Sequence, residues 1–205
     1  MDNSFAYFLM AAVLITLAPG PDNLYLLAKS LADGAKSGIA LALGLASGIV
    51  FHTSLVIVGV AALVQNSPPL FAALKYLGAA YLLYLAFGAV KETGGIRLVA
   101  AAERRTELLA LYKRGVMMNV LNPKVLLFFL AFLPQFVDAN TEHVAFDIAL
   151  LGAVFAGQAA ALFSLIAVGA GRLRPLLLRN KNLGGIMGKV QAAVLCIIAV
   201  ALAGT

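Results

Sequence analysis

Leu17-Ala18-Pro19-Gly20-Pro21-Asp22-Asn23 interrupts an apolar stretch that runs from Phe5 to Leu31. Neither proline can donate a backbone hydrogen bond, and each ring clashes with the turn before it, so no single helix passes through this segment. A stretch this long and apolar belongs in a bilayer, where an opened backbone costs several kcal/mol per unpaired group. The break must therefore be buried in protein or face a polar cavity. Asp22 leads to the same conclusion, because a carboxylate near the middle of a span marks a functional site by default.

Five further stretches approach the ~20 residues a helix needs to cross the hydrocarbon core: Gly38 to Val64, Leu70 to Val90, Gly115 to Val137, Val144 to Ala170 and Ile186 to Ala203. No soluble domain separates them. With 62% of its residues hydrophobic and 12% charged, where soluble domains carry about 25%, the chain is expected to be an all-α integral membrane protein with six transmembrane helices. Met1-Asp2-Asn3-Ser4 has no basic n-region and the first stretch outruns a signal-peptide core, so it is expected to remain as a span. The net charge of +6 is spread between the spans and does not mark a nucleic-acid surface. Cys196, the single cysteine, offers no disulfide, CxxC pair or cysteine metal site within the chain. It is expected to be a small buried apolar residue.

Cytoplasmic loops are enriched in lysine and arginine, and here the basic residues alternate strictly. Lys29 and Lys36 fall between spans one and two. Lys91, Arg97, Arg104, Arg105, Lys113 and Arg114 fall between three and four, and Arg172, Arg174, Arg179, Lys181 and Lys189 in or beside the connection of five and six. The N-terminal tail, Gln65 to Pro69, Asp138 to His143 and Gly204-Thr205 contain none. Both termini are therefore expected outside the cytoplasm. The segment Lys91 to Arg114, with Gly94-Gly95 and Glu103-Arg104-Arg105, is the cytoplasmic loop and has room for an interfacial helix.

Gly20-Pro21-Asp22-Asn23-Leu24-Tyr25-Leu26-Leu27 aligns with Asn122-Pro123-Lys124-Val125-Leu126-Leu127-Phe128-Phe129, proline on proline. Leu74-Lys75 and Gly188-Lys189 open spans three and six in the same way. A duplication with three spans per half is inverted, so the chain is expected to be one transporter domain, 1–205, with repeat one at about 5–90, the loop at 91–114 and repeat two at about 115–203. Such repeats place the substrate near the midplane.

Glycine or asparagine followed by proline is a helix-start signal. Two equal half-helices, Pro21 to Gly34 and Pro123 to Phe136, are therefore expected to begin inside the membrane, their unpaired N–H groups suited to a carboxylate. Pro19, Gly20, Pro21, Asp22, Asn23, Asn122, Pro123, Lys124 and Gln158 form the expected substrate site. Asp22 and Lys124, at matched positions, are expected to neutralise one another. The alternative for Lys124 is snorkelling, which suits Lys75 and Lys189 better. His52 and Asp22 are the proton-coupling candidates. Gln158 either lines the cavity or holds two helices together, and His143 beside Glu142 is solvated. Gly44-Leu45-Ala46-Ser47-Gly48, extended by Ala40, allows close helix contact, read first as packing within the bundle and second as a homodimer face.

The chain resembles the lysine exporter and homoserine–threonine exporter (LysE/RhtB) family of bacterial amino-acid efflux proteins. The resemblance rests on Ala18-Pro19-Gly20-Pro21-Asp22, the Gly34 to Gly48 region, Lys75-Tyr76-Leu77-Gly78-Ala79-Ala80-Tyr81-Leu82, and Leu121-Asn122-Pro123-Lys124-Val125 together with Leu133-Pro134-Gln135-Phe136. It implies secondary active export of a small amino acid or derivative from the cytoplasm across the inner membrane by alternating access, driven by a proton or other ion gradient. It does not identify the amino acid. The alternatives are export of another small solute or of a metal cation. A metal would need clustered ligands, yet the two histidines lie far apart in the chain. A pair of redox cysteines is absent, and a passive scaffold would leave the charges at the two breaks unexplained. No cofactor and no enzymatic chemistry are expected.

Overall fold

A computed structural model of the chain describes residues 3–66, 68–91, 107–138, 143–179 and 183–204. Helices α1 (Asn3–Leu17) and α2 (Pro21–Asp33) meet at a bend of 59°, and α5 (Leu108–Val120) and α6 (Pro123–Leu127) open a second bent pair, of 51°. The remaining helices are α3 (Ala35–Asn66), α4 (Pro68–Val90), α7 (Val144–Arg179) and α8 (Leu183–Gly204). Four helices alone are long and apolar enough to cross a membrane, and the described residues give six spans if each bent pair is one. Tyr7, Met10, Val58, Leu77, Tyr84, Phe87, Leu165 and Val200 are all exposed. Apolar surface of that extent suits lipid and not water.

Beyond their breaks the two bent spans differ. α2 is a regular helix ending at Gly34, whose φ of 87° favours glycine and whose N–H reaches the Ser30 carbonyl at 3.0 Å. The second half-helix is not its equal: five α-helical residues lead into a π-helical turn, Phe128–Phe132, and a 3-10 turn, Leu133–Phe136. Pro134 is the cause. It has no N–H for the carbonyl four residues back, so Leu133 N–H reaches to Phe128 O and the Gln135 side chain donates to Ala131 O at 2.9 Å.

Span four begins earlier than Gly115, at Leu108. Gly94-Gly95 and Glu103-Arg104-Arg105 lie outside the described residues. Lys29 is not a loop residue: it is buried on α2 and ion-paired to Asp33 at 2.8 Å. Cys196 is exposed on the outer face of α8 and not buried, because its neighbours Leu195 and Ile198 fill the side of the helix turned inward.

α3 is the central post, packed against α5 on one side and α7 on the other, while α4 packs along α8. Small residues set these approaches. A side chain on Gly44 would run into the Tyr112 carbonyl, one on Gly115 into the Leu41 carbonyl, and one on Gly48 into Asn119. Gly152 on α7 makes room for Thr53, and Gly38 for Ser30 and Ala167. The matching order of contacts makes α3 parallel to α5, and the reversed order makes it antiparallel to α7. Gly44 and Gly48 are therefore occupied within one chain, which leaves no dimer face on this motif.

Backbone atoms cannot move aside for a new Cβ, so Gly44→Leu is expected to cost at least the ~1–3 kcal/mol of an overpacked core. Gly59→Leu, where nothing lies within 4 Å, is expected to be neutral. Thermal unfolding of the two purified variants in detergent checks this, with a clear fall in Tm expected for the first alone.

Candidate functional site

Pro19 and Pro21 remove the amide donors that would reach the carbonyls of Ile15 and Leu17. The end of α1 is therefore a cluster of stranded acceptors at the negative pole of a helix. Two side chains fill it. Asn23 Nδ2, from the first turn of α2, donates to Thr16 O at 2.9 Å and Ala18 O at 3.1 Å. Lys124 Nζ, from the other broken span, donates to Ile15 O at 3.2 Å and Ala18 O at 3.1 Å. A Cβ on Gly20 would stand 3.5 Å from the ammonium, an ordinary van der Waals contact, so the approach does not depend on glycine at this position.

The second break is organised by Asn122. Its Oδ1 accepts the Lys124 N–H at 3.0 Å as the N-cap of α6, and its Nδ2 donates to Asp22 Oδ2 at 2.5 Å. Asp22 stands in the first turn of α2, where a carboxylate suits the positive pole. Gly20 and Asn122 are both N-caps, and Pro21 and Pro123 both stand at the first helical position. One amide thus bridges the starts of α2 and α6. The two segments leave this centre in opposite directions: α2 runs on to α3, whereas the 3-10 turn ends beside the first half of α1, with Phe136 and Phe8 ring centroids 5.5 Å apart.

The expected site residues are gathered here, with one difference. Asp22, Asn23, Asn122 and Lys124 are all buried, but among the described residues no direct ion pair joins Asp22 to Lys124. Each is held by a different partner, the acid by Asn122 and the ammonium by the α1 carbonyls. The nearer acceptors, left vacant by the prolines, outcompete the carboxylate for the lysine. Pro19 is buried, while Pro21 and Pro123 are exposed. Lys75 is half-buried and Lys189 exposed, both away from the core.

Gln158 connects α7 to the first break, donating to Thr16 Oγ1 at 2.9 Å and to Ala12 O at 3.4 Å. Its Oε1 is buried without a partner. His52 connects α3 to the second break through Nε2 and Asn119 O, 3.0 Å apart. A carbonyl only accepts, so Nε2 is the donor here, and Nδ1 is buried and unpartnered. The ring lies against Phe51 and Phe129. Thr16 and Asn119 do not stand out in the sequence. Their signal is that each is a polar residue within one turn of a break in an otherwise apolar run.

An all-helical membrane bundle with two broken spans meeting at charged, buried termini defines the class as a transporter and not an enzyme. The sequence profile of the LysE type translocator family matches residues 13–205, and the chain belongs to that family. It is 35% identical over 144 residues to a leucine efflux protein of Salmonella choleraesuis, covering 70% of this chain and 68% of the relative. A leucine efflux protein of Klebsiella pneumoniae is 36% identical over 158 residues, covering 72% and 71%. An uncharacterised membrane protein of Pseudomonas aeruginosa is 31% identical over 183 residues, covering 87% and 85%. No solved structure matches the chain.

Asn122→Asp would set two carboxylates against each other, and Asn122→Ala would remove both the cap, worth about 1 kcal/mol, and the donor to Asp22, worth about 1–3 kcal/mol. The exchanged pair Asp22→Asn/Asn122→Asp restores donor and acceptor. Its Tm in detergent is expected to lie nearer the parent's than that of either Asn122 single variant.

Proposed function

We propose that this protein exports a neutral amino acid with an apolar side chain, leucine above all, from the cytoplasm. The observation that carries this is a buried acid and a buried base, Asp22 and Lys124, on opposite sides of one bridging amide. Their charges sum to zero, which matches a zwitterion and disfavours a solute of net charge. Two of the three Lys124 donors serve α1 carbonyls, and the third is available to the solute carboxylate. Asp22 takes the ammonium by exchanging its bond to Asn122. The names of the Salmonella and Klebsiella relatives support leucine as the solute.

The chain works as one domain in the bacterial inner membrane with both termini outside and the basic connections in the cytoplasm. Its halves are inverted repeats that rock about the shared centre. Support comes from the pairing of α3 with α7 and α4 with α8, each element against its counterpart, and from the opposed courses of α2 and the segment after Pro123. Export is coupled to protons through His52, whose unpartnered Nδ1 accepts one beside the break.

Cells fed leucine-containing dipeptides are expected to release leucine several-fold faster with the gene than without it, and Asp22→Asn and Lys124→Met are expected to abolish the gain. Equal release with and without the gene would refute the assignment. In the same assay His52→Gln is expected to flatten the dependence of efflux on external pH between pH 6 and 8. For topology, in a Cys196→Ala background, His143→Cys is expected to react with an impermeant thiol reagent in intact spheroplasts and Lys36→Cys only after permeabilisation.

A further inference from the structure

α2 carries more charge than its role as a half-span requires. Asp22, Lys29 and Asp33 are seven and four residues apart, which at 100° per residue puts all three within one narrow stripe. Lys29 is 3% exposed and Asp33 half-buried, paired at 2.8 Å. Lys29 lies close to the C-terminal end of α2, and its stem is long enough to carry the ammonium out to the interface, as Lys36 and Lys189 do by standing exposed. It instead stays buried and ends on Asp33, the last residue of α2, on the stripe that also bears Asp22. Burying an ion pair contributes little stability compared with apolar residues of the same volume, so stability does not account for it.

Tyr25 lies on the same side of α2, one turn from Asp22 and one from Lys29. Its hydroxyl is buried and makes no hydrogen bond to the described residues, so its bonding capacity is open. Its ring is covered by the guanidinium of Arg114 at 4.4 Å, an exposed residue in the middle of α5. The stripe thus runs from the basic-loop end of the bundle, past a closed aromatic–cation contact, to the central acid.

We propose that Lys29 and Asp33 form a second amino-acid station, the first that the solute meets on its way from the basic-loop side to the Asp22–Asn122–Lys124 centre. The station rests on the export function proposed above and names where that solute is loaded. The solute carboxylate takes Lys29 and its ammonium takes Asp33, opening the pair without baring either charge. Tyr25 then supplies a hydroxyl along the ~10 Å between Lys29 and Asp22, once Arg114 swings off its ring. Each station is one acid and one base, so a zwitterion can pass from one to the other with the same charge balance throughout.

The test is equilibrium binding of radiolabelled L-leucine to the purified full-length chain, joined to leucine uptake into inside-out vesicles. Lys29→Met/Asp33→Leu removes both charges of the pair together, so that neither is left facing the site of the other. Two leucines are expected per parent chain and one per double variant, with the half-saturating leucine concentration for uptake raised about tenfold and the maximal rate within twofold. Lys36→Met, on the exposed surface, is expected to change neither. One leucine bound per parent chain, lost in Asp22→Asn and kept with unchanged half-saturation in the Lys29/Asp33 variant, overturns the station and leaves the export function standing. Absence of leucine binding to any variant overturns both.

Discussion

The carbonyl of Ile15 loses its helical donor to Pro19 and regains one from Lys124, 109 positions further along the chain. In water either group would be solvated and the contact would matter little. In a bilayer neither has that option, so the first break is closed partly by its own Asn23 and partly by a lysine from the second broken span. Asn122 extends the same dependence, because its two amide ends serve α6 and Asp22 at once. The broken spans are in this sense one polar object held inside an apolar bundle.

That object needs rigid walls, and the wall on the Pro123 side is aromatic. Phe128, Phe129 and Phe132 from the π-helical turn pack on one another and on Phe155 of α7, with centroid separations between 4.9 and 6.0 Å. Pro134 does two things: it removes a donor from the ladder, and it lets the rings occupy the space between α1 and α7. On the other side glycine does the converse, bringing the backbones of α3 and α5 close enough for Asn119 to rest on Gly48 and for His52 to find the Asn119 carbonyl.

Much of this can be read from the residues. Proline chemistry alone locates both breaks and both helix starts, and Gly44 and Gly48 announce a close helix contact. Other features depend on what the chain meets only after folding. Nothing local says that Lys124 prefers stranded carbonyls to Asp22, because the carbonyls become available through a break a hundred residues away. The unequal second half-helix is legible in Pro134 but masked by the uniform apolar run around it. Cys196 and Lys29 depart from expectation for a common reason: hydropathy gives depth in the membrane but not the direction a side chain faces. In a bilayer an apolar residue can point outward and a lysine inward, the reverse of the rule in water.

The separation of Asp22 from Lys124 by Asn122 changes what a zwitterion has to do. Two charges locked in a direct buried pair would have to exchange both partners in step with the arriving solute, since a buried charge left without a partner costs several kcal/mol. Here the acid is held by a neutral amide, and the base by carbonyls that leave part of its donor capacity unspent. A solute ammonium can replace the Asn122 donor with a stronger, charge-assisted one, and the amide released from Asp22 still caps α6 through its other end. In that proposed exchange, binding loosens the Asn122–Asp22 side-chain bond that joins the starts of α2 and α6, without breaking either helix start. Under the export mechanism proposed above, the contact that receives the solute ammonium is also the one that joins the starts of α2 and α6, so occupancy and the relative freedom of those two helix starts are coupled by one hydrogen bond.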